Sequence, residues 1–278
     1  MTRDYEGEVT RLAQQVDKVS RAAIEQGMPA YREDLTRLSN LYLIYRYVVE
    51  RGIANEAPKG IRILYGKVCN SLVGILQLLD AGYPGPAAMV TRSLFETAVH
   101  LQVILKEDVQ ERAQLFDDFA IIEREASINN VPSVTEEQRL KHREEFARVR
   151  ANYHPEKPFS WCWKVAPGSK KRNGVPNNPS FRDLCIHIGH AEYYDLIYGP
   201  LSAAIHPVPT YEGWLRRGDG QIELGPRFTS QTHTVADLVT ALGMDSLVSV
   251  LRFLHPEDEV ELGVFIIQKA GKPDRGDA

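Results

Sequence analysis

The stretch GYPGPAAMVTRSLFETAVHLQVIL, residues 82–105, limits the possible folds of this chain more than any other segment. Its Gly82-Tyr83-Pro84-Gly85-Pro86 opening combines the strongest breakers, so a turn must end whatever precedes it. Proline has a fixed φ and no N–H, which suits the first turn of a new helix and makes Pro86 the expected first helical residue. From Ala87 onward Met89, Val90, Leu94, Ala98, Leu101, Ile104 and Leu105 cover more than one face. A helix apolar over most of its circumference belongs at the centre of a bundle. Arg92, Glu96 and His100 lie four apart and so stack on one face. Charges placed in a core need partners, because an unpaired buried ion is costly.

The rest of the chain supports an all-α class. Val9, Leu12, Val16, Val19 and Ala23 recur at steps of three and four, and Gly27-Met28-Pro29 is expected to end that helix. A second helix is expected over 31–51, with Leu35, Leu38, Leu41, Tyr42, Tyr45 and Val48 inward and Gly52 beyond its end. The run Tyr42, Tyr45, Tyr47 reads as core packing, since no basic residues interleave it as a nucleic-acid platform would require. A third helix spans 59–81, and Asp108 opens another as N-cap with Glu111 three residues on. Ser133 or Thr135 starts a highly charged helix to about Tyr153.

Residues 154–179 are rich in proline and carry Trp161, Trp163 and the basic run Lys170-Lys171-Arg172. A loop of that length with two tryptophans is expected to pack onto the body. Ser180 caps the next helix, expected to continue to His206 with His190, Tyr194, Tyr198, Ser202 and His206 on one stripe. Pro200 predicts a kink or break near Gly199. Residues 210–228 resemble a hairpin turning at Gly218-Asp219-Gly220. Helices over 234–254 and 257–269 and a frayed tail over 271–278 complete the expectation.

Composition excludes several classes. A net charge of −4 argues against broad nonspecific nucleic-acid affinity, leaving only a local RNA contact open. Cys69, Cys162 and Cys185 are scattered and odd in number, which fits a reduced cytoplasm. The N-terminus has no apolar signal core, and no segment reads as a membrane span, so a cytoplasmic protein without a membrane partner is expected. Glu96/His100 and His187/His190 have ligand-like spacings, but zinc needs three or four converging ligands and di-iron bundles need Glu-x-x-His pairs, which this chain lacks. No metal and no cofactor is expected. There is no Walker A, no GxGxxG and no G-x-S-x-G.

Arg182 and His187 match the spacing of the HEPN ribonucleases, an arginine followed by a histidine four to six residues later. Similarity to such helical proteins implies a histidine in proton transfer and an arginine stabilising phosphate. Arg148…His154 and Arg227…His233 match as well, as chance allows in a chain with eight histidines. A broader resemblance rests on Leu78-Leu79-x-x-Gly82, Ala87, Arg92-Ser93-Leu94-Phe95-Glu96, Trp163, Arg182-Asp183-Leu184 and the Tyr194/Tyr198/Ser202/His206 stripe. Over residues 65–210 the chain resembles a bacterial all-helical family of uncharacterised function. The resemblance implies a compact helical bundle and no established reaction.

The expectation is thus one all-α domain over 1–278, a bundle of eight to ten helices with a core at 59–206 and a small β-hairpin. Arg92 and Glu96 are expected to face Tyr194, Tyr198, Ser202 and His206 in one polar pocket. There Arg92 would anchor an anion or carboxylate, Glu96 would orient it, and His206 would transfer a proton or lock the cluster. A non-catalytic ligand- or partner-binding module is the leading reading; a metal-independent HEPN-like ribonuclease using Arg182 and His187, or Arg92 and His206, is the alternative. Charged arms on an amphipathic bundle suit a homodimer. A place in bacterial stress or phage defence is a conjecture that no residue carries.

Overall fold

The computed structural model describes the backbone of residues 5–49, 53, 57–125, 127–153, 161–166, 171–172, 175–176, 178–205, 214–216, 222–224 and 230–254. Side chains are described within 24–49, 53, 57–125, 127–153, 161–166, 178–202 and 231–254. The architecture is all-α. Its helices are α1 (Tyr5–Val48), α2 (Lys59–Asp80), α3 (Pro84–Leu105), α4 (Val109–Glu125), α5 (Glu136–Val149), α6 (Phe181–Ile188), α7 (residues 191–205) and α8 (Ser230–Leu254).

α3 is the hub. It packs against α2, α8, α7, α6 and α4, and Leu94, Phe95, Leu101, Val103 and Ile104 on it have no exposed surface. This is the environment its near-continuous apolar surface requires. The turn into α3 uses Gly82 at φ +77°, which an L side chain rarely adopts. The N–H groups of Gly82 and Tyr83 close it onto the carbonyls of Leu79 and Leu78 at 2.9 and 2.7 Å. Pro84 rather than Pro86 is the first helical residue, because capture of the Tyr83 N–H by α2 lets the new helix begin one residue later.

α1 runs through Pro29, contrary to the expected stop. The proline deprives the Glu25 carbonyl of one ladder bond, but both residues are at the surface, where water replaces the donor. From Met28 onward α1 lies against the core. Tyr45 is fully buried and donates to the Gly243 carbonyl at 2.7 Å, while Tyr65 donates to the Tyr45 carbonyl at 2.8 Å. Tyr47, two residues on, faces the opposite side and is exposed, so it does not join the core. Gly52 lies outside the described residues.

At Gly243 α8 lies directly against α1. A Cβ there would sit 2.7 Å from Cδ2 of Leu41, which is itself fully buried. Gly243→Ala is expected to lose about 1–3 kcal/mol to overpacking, offset only in part by the roughly 0.5–1 kcal/mol that alanine gains over glycine in a helix. Urea unfolding checks the sign; a more stable variant would show that Leu41 can withdraw.

Two capping boxes are seen. The Thr135 hydroxyl accepts from the Gln138 N–H at 3.2 Å and Gln138 Oε1 accepts the Thr135 N–H at 2.9 Å. Ser180 and Asp183 do the same at the start of α6. Asp108, the expected cap of α4, holds φ +46° and its carbonyl accepts the Arg112 N–H at 2.9 Å.

The single helix expected from Ser180 to His206 is broken. Gly189 adopts φ +85° and ends α6, with the His190 N–H on the Cys185 carbonyl at 2.7 Å. α7 then runs as Ala191–Tyr193, a π-helical stretch Tyr194–Tyr198, and Gly199–Ile205. Pro200 is therefore carried inside a helix. Its missing N–H is absorbed where the ladder switches to wider spacing immediately before it.

Trp161, Cys162 and Ala166 are buried, so this part of the proline-rich loop packs on the body. Backbone pairings join Lys171–Arg172 to Val175–Pro176 and Trp214–Arg216 to Ile222–Leu224. The turn expected at 218–220 lies outside the described residues, so a hairpin is not seen as a unit and β structure forms no layer. The expected helix at 257–269 and the tail also lie outside them. Contrary to the expectation that no segment is apolar enough for a membrane span, Lys59–Asp80 and Gln231–Leu254 could each cross a bilayer by length and composition. In this fold Ile61, Leu64, Leu72, Ile75 and Leu79 of α2 turn into the bundle core.

Candidate functional site

Arg92 and Glu96, one helical turn apart on α3, meet Tyr198 of the π-helical stretch. Arg92 Nη2 donates to the Tyr198 hydroxyl oxygen at 2.7 Å, and that hydroxyl donates its own proton to Glu96 Oε1 at 3.2 Å. Arg92 Nε lies 3.2 Å from the same carboxylate oxygen. The guanidinium carbon sits 4.8 Å above the Tyr198 ring, a cation–π geometry. Tyr194 stacks on Tyr198 with centroids 4.9 Å apart. Beneath them Phe181 approaches Tyr198 at 5.0 Å and meets Phe95 edge-on at 5.4 Å. The Tyr198 bond, reinforced by Glu96, raises the Arg92 pKa above its ordinary value.

The cluster is partly open. The Arg92 side chain is 19% exposed and that of Glu96 40%. Nη2 bonds Tyr198, Nε is buried beside the Glu96 carboxylate without an aligned hydrogen bond, and Nη1 makes no bond among the described residues. Ser202 is half-buried on the last segment of α7. His206 lies outside the described residues.

His100, third on the α3 stripe, has a different environment. Its Nδ1 accepts the Trp161 indole N–H at 3.1 Å, and Cys162 Sγ is 3.9 Å away. Burial, with Lys67 adding to it, pushes its pKa down to about 4. It is a neutral imidazole with Nε2 carrying the proton. His190 is turned away from the tyrosine stack because the helix breaks before it. It stacks on Tyr193 at 4.9 Å, and its Nε2 is 2.8 Å from Gln102 Oε1 on α3. Asp245 on α8 completes that cluster, its carboxyl pKa raised chiefly by burial.

Arg182 and His187 have separate partners. Arg182 makes a bidentate pair with Asp195, at 3.1 Å from Nε and 3.0 Å from Nη2. His187 Nε2 is 3.5 Å from Arg112 Nη1, and the His187 carbonyl accepts from Lys106 Nζ. Burial first, then Lys106 and Arg112, lowers the His187 pKa. Five residues along a helix turn a side chain by well over a quarter of the circumference, so this spacing does not stack the two.

Arg112 was not legible in the sequence. It is buried, bonds the Val103 carbonyl at 2.7 Å through Nη1 and pairs with Glu107 through Nη2. Together with Lys106 it neutralises the carbonyl ends of α3 and α6, where helix dipoles are negative. The sequence marks Glu111 in the first turn and Leu115, Phe116, Phe119 and Ile122 as an inward face; nothing in the spacing marks an inward arginine.

The thiols of Cys69 and Cys185 are pushed by burial up to about 11 and about 12, so neither is a thiolate at neutral pH. Among the described residues no three His, Cys, Asp or Glu side chains come together as a metal-binding group. No curated protein and no solved structure matches the chain. The sequence model of DUF5677, a family of unknown function, matches residues 59–222, a span that contains α3, the Arg92–Glu96–Tyr198 cluster and the Arg182–Asp195 pair. The chain belongs to the DUF5677 family of unknown function.

Proposed function

We propose that this protein is a non-catalytic helical module that holds a carboxylate- or phosphate-bearing ligand, or a partner side chain of that chemistry, at Arg92. The observation that supports the reading is the state of Arg92: Tyr198 holds one arm of its guanidinium, Glu96 pairs with it at 3.2 Å, and Nη1 has no hydrogen bond among the described residues. A donor already oriented in this way loses little freedom on binding an anion. Glu96 sets the orientation and limits the positive charge, which favours a singly charged group over a polyanion.

A second reading, metal-independent RNA cleavage, draws on His187. It is an imidazole of lowered pKa beside Lys106 and Arg112, a base next to two cations. Against it, both cations and the Arg182 guanidinium are already engaged by carbonyls or carboxylates.

The test has two arms. Wild type, Arg92→Lys and Tyr198→Phe are titrated with acetate, N-acetylglutamate and inorganic phosphate, following thermal stability and amide shifts on α3 and α7. Binding is expected in wild type and about tenfold weaker in Arg92→Lys, which keeps the charge but not the fork. Separately, single-stranded and transfer RNA are incubated with wild type in EDTA. Cleavage abolished by His187→Ala in a folded variant would replace the binding reading with the nuclease one.

A further inference from the structure

Arg92 and Glu96 are a pair of opposite charges in which each partner keeps one atom unused. On the guanidinium, Nη2 is taken by the Tyr198 hydroxyl and Nε is closed off from water beside Glu96 Oε1. Nη1 has no hydrogen bond among the described residues and, unlike Nε, remains open to water. On the carboxylate, Oε1 accepts from Tyr198, while Oε2 has no hydrogen bond among the described residues and is also open to water. One donor and one acceptor are thus left over on successive turns of α3.

Helical spacing sets what lies beside them. A turn of about 100° per residue places Met89, Ser93 and Glu96 on one side of Arg92, and Ala88 and Phe95 on the other. Ala88 and Phe95 are buried, whereas Met89 is 45% exposed and Ser93 is exposed as well. The hub helix therefore leaves one open strip, and it begins with an apolar, adaptable side chain one turn before Arg92. The charges decide which ligand this strip suits. A bare anion gains from Arg92 but meets the Glu96 carboxylate one turn away. A zwitterion gains from both groups, and the pair, like the zwitterion, has no net charge.

We infer that the ligand held at Arg92 is a free α-amino acid with an aliphatic side chain, bound as its zwitterion. The inference rests on the anion-binding reading above and adds two subsites to it. The ligand carboxylate accepts from Arg92 Nη1, its ammonium donates to Glu96 Oε2, and its side chain lies along Met89. Tyr198 keeps both protein groups in place, since its hydroxyl is bonded to each of them. Glu96 also selects against dicarboxylates and phosphate esters, whose second negative charge has no cation to meet.

The probes are L-leucine, N-acetyl-L-leucine, L-leucinamide, glycine and acetate, titrated at pH 7 into the full chain while the amide shifts of α3 are followed by NMR. Leucine is expected to bind about tenfold more tightly than N-acetyl-leucine or leucinamide, each of which lacks one charge, and than glycine, which lacks the side chain. Glu96→Gln keeps an acceptor for Tyr198 and is expected to weaken leucine about tenfold without weakening N-acetyl-leucine. Met89→Ala, at an exposed residue, is expected to weaken leucine and leave glycine unchanged. If Glu96→Gln does not fold, the comparison of probes in wild type decides alone. N-acetyl-leucine or leucinamide bound as tightly as leucine would overturn the zwitterion site. Should acetate and N-acetyl-leucine still bind in that case, the anion reading stands without it. No binding by acetate, N-acetyl-leucine or leucine would remove both.

Discussion

Phe95→Ala is expected to lower the unfolding free energy by about 3–5 kcal/mol, the usual range for deleting a fully buried aromatic ring. Phe95 has no exposed surface, lies on the central helix, and meets Phe181 edge-on at 5.4 Å with Tyr198 at 6.5 Å. With Phe181 and Tyr198 it forms the ring cluster that joins α3, α6 and α7. A cavity there would also loosen the platform on which Tyr198 holds Arg92, so anion affinity should fall along with stability. Leu43→Ala supplies the contrast: Leu43 is 62% exposed, and the expected change is within about 0.5 kcal/mol. Urea unfolding with unchanged slope would assign the Phe95 effect to the native state. A loss below about 1 kcal/mol would mean that Phe181 collapses into the space.

The second large effect is on acid stability and belongs to His100. Its folded pKa of about 4 lies below the roughly 6.5 of an unfolded histidine. The unfolded chain therefore binds the proton first as pH falls. Above 6.5 there is no penalty. Between 6.5 and 4 stability is lost progressively, by a total of about 3 kcal/mol from this one group. Comparing wild type with His100→Gln from pH 7 to 4 isolates the contribution, because every other titrating group is shared. Wild type should fall more steeply, and Trp161, whose indole N–H bonds His100 Nδ1, should change its fluorescence in the same window. Parallel pH profiles would show that His100 titrates normally and that the loop carrying Trp161 opens.

What could be read from the chain was what neighbouring residues decide between themselves. The two capping boxes follow from Thr135 with Gln138 and Ser180 with Asp183, because a hydroxyl three residues before an amide or carboxylate closes both bonds locally. The central position of α3 followed from its all-round apolar surface. The Arg92–Glu96 contact is likewise local, fixed by the helical repeat.

The errors occurred where a local preference was weak against its surroundings. Pro29 predicts a stop, yet at the surface a single lost ladder bond is replaced by water and the helix continues. Pro200 predicts a kink or break near Gly199, and there the chain changes from a π-helical stretch to an α-helical one without ending the helix. Gly189 was passed over inside an apolar pattern, although only a glycine adopts its backbone conformation without strain. That one residue separates His190 from Tyr194 and Tyr198, turning the first toward Gln102 and the others toward Arg92.

The sequence by itself determined the fold class, the capped starts at Thr135 and Ser180 and the Arg92–Glu96 pair, since these depend on periodicity and on bonds closed within one turn. Only the tertiary structure decided which partner each charge received. Arg92 found Tyr198, Arg112 found the end of its neighbouring helix, and His142 found Glu125. Those pairings join residues up to 106 positions apart. The packing of whole helices sets their geometry, and no spacing along the chain encodes it.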